Sequence, residues 1–198
     1  MKSVLDNVLF ARAYFLFGLF VYMLGGFYLD SLNLNPIYDP ILEKIPIVDV
    51  GTISTYGLIL MYGIAFIYLK PLLGGKKEAE LWIILSSSFI VRTLFCLVTA
   101  FGVPLGFIPI EEKGLYFLLK KAGLVFQNDL FFSGHTAAPF GFFLFFEDKI
   151  AKIIFLIGTA AMGISVLLLH HHYVVDVLAA PVFIWAVYSF FHYRFFKQ

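Results

Sequence analysis

Charge is scarce in this chain and cysteine nearly absent. Only 14% of the 198 residues are Asp, Glu, Lys or Arg, whereas a soluble domain carries about a quarter, so water is not the main solvent of its surface. The single cysteine, Cys96, closes no intramolecular disulfide and supplies no thiolate cluster. The formal net charge is +1, and no basic run interleaves with aromatics. The electrostatic footprint of a nucleic-acid binder is therefore missing. Flexible linkers, low-complexity tracts and internal repeats are missing too, which leaves one domain over residues 1–198.

What fills the chain is hydrocarbon. Hydrophobic residues make up 61% of it, aromatics 19% with 25 Phe and 11 Tyr, and the mean hydropathy is +0.92. A hydrocarbon core of about 30 Å takes roughly 20 apolar residues in helix. Six segments meet that measure: Val8 to Tyr28, Gly51 to Tyr68, Leu81 to Phe101, Leu130 to Phe146, Ile150 to Leu169 and Tyr173 to Phe195. The expectation is an all-α integral membrane bundle of six transmembrane helices. The first segment is too long for a signal-peptide core and lacks a small-x-small cleavage site behind it, so it reads as a retained span. The fourth is short and carries Pro139 and Gly141, which predicts a kink or tilt.

If the chain alternates sides, one face collects Lys2, Arg12, Lys70, Lys76, Lys77, Lys149, Lys152, Arg194 and Lys197. The other holds Lys44, Lys113, Lys120 and Lys121. The positive-inside bias makes the richer face cytoplasmic, together with both termini. The stretch Gly102 to Asp129 and the His170 to His172 corner then lie together on the exoplasmic side. Within that stretch, the apolar patches Leu115 to Leu119 and Leu124 to Phe126 flank Lys120 and Lys121. A short amphipathic element in the interface is expected there.

Ionisable groups in apolar spans are costly and informative. His172 and Asp176 stand four apart at the start of the last helix, on one face. A carboxylate so placed fixes the imidazole tautomer and supports positive charge on the ring, as a nucleophilic or general-base histidine requires. The second element is Asp129-Leu-Phe-Phe-Ser133-Gly134-His135-Thr136 at the start of the fourth span. Ser133 is a natural N-cap and Gly134 permits close backbone approach, so free N–H groups there favour an anion such as phosphate. His135, in the first turn, is positioned to protonate a leaving oxygen.

Taken together, the two elements resemble the type 2 phosphatidic acid phosphatase superfamily, especially its sphingomyelin synthase-like branch. Asp129 to Thr136 is similar to that branch's D-x3-S-G-H-T element, and His170-His-His172-Tyr173-Val-Val-Asp176-Val to its H-x-H-Y-[ST]-x-D-[VI] element. Arg92-Thr-Leu-Phe95-Cys-Leu-Val-Thr99 is similar to its arginine-led third-helix element, and Ile45-Pro46-Ile-Val-Asp49 to the Pro-Asp start of its second helix. The resemblance covers about residues 45 to 185. It implies metal-independent phosphoryl or phosphodiester transfer on a membrane lipid at the exoplasmic surface, without a cofactor. By matching positions it implies His172 as nucleophile, Asp176 as its orienting acid and His135 as proton donor.

The chain also departs from the family. The phosphatase branch's Ser-Arg pair is Ser165-Val166 here, its Lys-x6-Arg-Pro element is missing, and the synthase branch's arginine ten residues after the aspartate is Ala186. Arg92 is the remaining cation expected at the phosphate, with Ser133 and Gly134; Asp129, His170 and Tyr173 are expected in support. Water and a lipid hydroxyl both remain open as acceptor. Two other readings stand beside this one. His135, His170, His171, His172 and Asp176 have the ligand chemistry of a metal-binding membrane transporter, and the missing arginines fit a catalytically inactive, lipid-binding member.

Overall fold

A computed structural model describes residues 7–109 and 114–196. Among them there are seven α-helices and no strand: α1 (Val8–Asp30), α2 (Gly51–Leu69), α3 (Lys76–Thr99), α4 (Gly114–Lys121), α5 (Gly134–Phe145), α6 (Lys149–Leu168) and α7 (Val174–Phe191). Short 3-10 turns occupy Leu42–Lys44 and Lys70–Leu72, and a π turn runs over His192–Phe196 beyond α7. Five helices are long and apolar enough to cross a membrane: Val8–Asp30, Gly51–Leu72, Lys76–Thr99, Lys149–Leu168 and Val174–Phe196. The radial pattern fits lipid as solvent. Leu9, Phe17, Phe20, Ile53, Phe66, Val98, Ile157 and Leu178 face outward, while Ser54, Ser86, Ser87, Arg92, Thr93 and Thr159 are buried.

The fourth segment differs from its expected bounds. Helix α5 has 12 residues, about 18 Å at 1.5 Å per residue, and the expected start at Leu130 is irregular backbone up to Ser133. That backbone is well protected, with Leu130, Phe132 and Ser133 buried. The third segment differs the other way. Its helix begins at Lys76 rather than Leu81, because Glu78 and Glu80 in its first turns are buried and paired rather than solvated. Glu78 accepts from Arg12 Nε (2.8 Å), Trp82 Nε1 (2.8 Å) and the Gly74 amide (2.6 Å). Glu80 meets His192 Nδ1 at 2.5 Å.

Small residues let the long helices approach closely. A Cβ on Gly18 would lie 2.3 Å from Ser86 Oγ, and one on Gly25 2.3 Å from Thr93 Cγ2, so α1 packs directly along α3. Ser86 Oγ donates to Tyr14 O (2.6 Å) in the same seam. Phe142, Phe145, Phe146 and Phe155 knit α5 and α6 to Met61 and Ala65 of α2. The expected amphipathic element is α4, which ends in Lys120 and Lys121. After it the chain folds back on α1, where Phe126 meets Tyr22 and Phe27 edge-on (5.5 and 5.1 Å). Lys2, Lys113 and Lys197 lie outside the described residues.

A candidate active site where two sequence elements meet

Two connections, from α1 to α2 and from α3 to α4, converge at one end of the bundle and position the corner between α6 and α7. Tyr173 Oη accepts from the Ile37 amide (2.9 Å) and donates to Gly102 O (2.9 Å). The amides of Val48 and Ile108 donate to Leu168 O (2.9 Å) and Leu169 O (3.1 Å). Asp39, which sequence reasoning missed, accepts from the amides of Ile41 and Leu42 on one oxygen and from Val174 (2.8 Å) on the other. It therefore caps α7 from a distant loop. Its signal was the Asp-Pro pair at 39–40, a turn initiator. Asp49 accepts from Gly51 N (3.1 Å) at the start of α2.

His170, His171 and His172 diverge from this corner. His170 sits in the left-handed region (φ 52°), buried, with Nδ1 2.8 Å from Leu105 O and Nε2 3.2 Å from Ile45 O. His171 donates from Nε2 to Ile108 O (2.6 Å) and stacks on Phe107 at 4.7 Å. Loss of hydration pushes its pKa down to about 4 despite that carbonyl, with the neighbouring His172 acting in the same direction. Among the described residues no three His, Cys, Asp or Glu side chains gather as a metal ion requires.

His172 turns toward α7. Its Nδ1 lies 3.4 Å from Asp176 Oδ2, and the carboxylate is fully buried. The same oxygen accepts from the Tyr173 amide (2.9 Å), so the acid is held by the helix start it caps. An Nδ1–H directed at Asp176 leaves the Nε2 lone pair as the free edge of the ring.

The SGHT element lies directly against this pair. The Ser133 amide donates to Asp176 O (3.0 Å), joining two elements 43 residues apart through backbone. The rings of His135 and His172 are 6.4 Å apart, centre to centre. Ser133 occupies the N-cap position of α5, but its hydroxyl makes no capping bond. Ser133 Oγ, Thr136 Oγ1 and Asp176 Oδ1 are all buried and all lack a partner. Unpartnered buried oxygens are uncommon in folded proteins; these three belong to the residues of the two elements, and Ser54, Thr55, Thr93 and Ser189 carry others elsewhere in the bundle.

Arg92 faces the interior, as expected of an arginine in a span, but its donors are engaged. Nε donates to Phe132 O (2.6 Å), Nη2 to Asp129 O (2.7 Å), and Nη1 pairs with the Asp129 carboxylate. Cys96 Sγ adds a contact to Phe131 O (2.5 Å). The guanidinium thus satisfies the irregular backbone leading into α5, where no ladder exists to do so. It also flanks Gly134, whose missing Cβ would lie 3.8 Å from Arg92 Cζ. Ser165 donates to Met162 O (2.8 Å). No family model matches the sequence, and neither a curated protein nor a solved structure matches it.

Proposed function

We propose that this protein is a membrane-embedded enzyme that transfers a phosphoryl or phosphodiester group of a lipid through a histidine nucleophile. The observation that carries the reading is the meeting of Ser133-Gly134-His135-Thr136 with His172 and Asp176, through the Ser133 amide on Asp176 O and the His135 and His172 rings 6.4 Å apart. His172 Nε2 attacks phosphorus while Asp176 Oδ2 holds the proton on Nδ1. The bond from phosphorus to the leaving oxygen breaks, and His135 gives that oxygen its proton. The phosphohistidine then yields to water or a lipid hydroxyl, with His135 taking the incoming proton. The amides at the start of α5, with Ser133 Oγ and Thr136 Oγ1, receive the equatorial oxygens. Arg92 is a positioning residue here: it holds the loop that presents those donors.

In this reading Asp129 to Phe145 completes a sixth crossing. Its irregular first third is tolerable in lipid because protein covers it and Arg92 satisfies its carbonyls. The Lys and Arg bias of the loops supports an exoplasmic position for the site. Incubating purified protein with labelled lipid phosphates and phospholipids tests the proposal. Label should enter the protein as a phosphoramidate that survives base and is lost in acid. His172→Ala should abolish labelling, and His135→Ala should slow it far more for poor leaving groups than for activated ones. Labelling that persists in His172→Ala would overturn the assignment.

A further inference from the structure

Away from the polar site, a groove of about 440 Å3 opens between α1, α3 and α7. That volume falls within the roughly 300–1,000 Å3 of small-molecule pockets. Ile90 and Val91 of α3 form one wall, and Ala186 with Val187 of α7 the other. Its far end holds Tyr14 Oη and Ser87 Oγ, already 3.3 Å from each other, which leaves the rest apolar. The near end is formed by Phe95 and Phe183, whose rings meet at 4.6 Å. Those two rings also pack on the segment that leads into the site. Phe183 stacks on Phe132 at 5.1 Å and meets Phe131 at 5.5 Å, and Phe95 meets Phe131 at 5.9 Å. Phe132 directly precedes Ser133. From Phe95 to Ser87 the groove follows α3 for eight residues, about 12 Å at the helical rise.

We propose that this groove holds one acyl chain of the lipid whose phosphate sits between His135 and His172. The inference rests on the proposed function. Three features favour a hydrocarbon chain: the lining is apolar, the groove lies among helices apolar enough to span a membrane, and its near end packs on Phe131 and Phe132, the residues that lead into Ser133. Ala186 makes the space, because it is small and lies one turn from Phe183 and from Phe190 on the same helix.

A phospholipid carrying a diazirine on its acyl chain, incorporated with the full-length protein in nanodiscs, tests this without requiring turnover. Photo-crosslinks should map to Ser87–Val91 and Phe183–Phe190, and should persist in His172→Ala. Ala186→Trp should fill the groove and lower that labelling about tenfold or more, the worth of two or three buried methylenes. Ile90→Trp should do the same from the opposite wall, which guards against one variant failing to fold. Crosslinks spread evenly over the lipid-facing helices, or unchanged in both folded tryptophan variants, would overturn the groove and leave the histidine chemistry standing. Groove-specific crosslinks without turnover of any lipid phosphate would do the reverse.

Discussion

Replacing Arg92 by methionine should be among the most damaging single changes in the bundle. The substitution keeps the length and apolar body of the side chain but deletes the donors to Phe132 O and Asp129 O and the partner of the Asp129 carboxylate. All of these sit in buried surroundings, so none is rescued by water. Removing one member of a buried ion pair costs about 3–5 kcal/mol, mostly because the other charge is left stranded. Arg92→Lys retains a charge for Asp129 but lacks the planar fork that reaches two carbonyls as well, and each lost bond costs about 1–3 kcal/mol. It should fall between methionine and the native residue. Removing Asp129 together with Arg92 should cost less than the two single losses combined, with a coupling of up to about 3 kcal/mol. Unfolding in mixed micelles of rising SDS fraction, followed by the fluorescence of Trp82 and Trp185, measures all of these. A stability for Arg92→Met within about 0.5 kcal/mol of native, the range of ordinary surface changes, would refute the keystone role. Intact stability with collapsed turnover would return Arg92 to the phosphate.

Three further expectations follow from the site's surroundings. Cysteines placed at Glu43 and at Glu112, which lies outside the described residues, should react with an impermeant thiol reagent in intact cells, while one at exposed Lys70 should not; the reverse would invert the topology. Burial depresses the His171 pKa to about 4, below an unperturbed value of about 6.5, so the unfolded chain binds the extra proton first as pH falls. Its contribution is therefore complete above about pH 6.5 and is lost toward pH 4, by up to about 3 kcal/mol, and His171→Phe should flatten the dependence of Tm on pH in that window. Asp39→Ala should cost about 0.5–2 kcal/mol through the lost caps and loosen the start of α7, read as faster amide exchange at Val174.

Much of this architecture was legible in the sequence, and the failures share a cause. Apolar runs located the helices that are long enough to span, and the i+4 spacing of His172 and Asp176 correctly foretold their proximity. The start of α3 was misplaced because Lys76, Lys77, Glu78 and Glu80 look like a solvated loop. Their pairing partners, Arg12 and His192, are 66 and 112 residues away from Glu78 and Glu80. The lead into α5 was counted in the apolar span although Ser133 was read as the helix's N-cap, and side-chain donors from α3 satisfy its carbonyls in place of helical bonds. The Ser133 hydroxyl was read as a cap and is left unpartnered. Each of these turns on a contact between distant segments, which local pattern does not encode.

The engagement of Arg92 also bears on which phosphate ester the site would accept. Among the described residues Arg92 is the one buried lysine or arginine, and Asp129 neutralises it. Asp176 adds a further carboxylate beside His172. His135 must carry a proton to act as the donor, which offsets the Asp176 charge, so with His172 neutral only the start of α5, roughly half a positive charge, is left for the phosphate. A phosphomonoester brings about two negative charges near neutral pH, whereas a phosphodiester brings one. The electrostatic cost rises steeply with that second charge in a site shielded from water. A phosphate site whose clamping arginine were free would tolerate the dianion; the proposed site should not. The expected outcome is that a phospholipid with an esterified headgroup reacts with a kcat/KM at least tenfold above that of the phosphomonoester on the same diacylglycerol. Asp129→Asn should narrow the gap by freeing part of the Arg92 charge. A native preference for the monoester would show that the site finds its positive charge elsewhere.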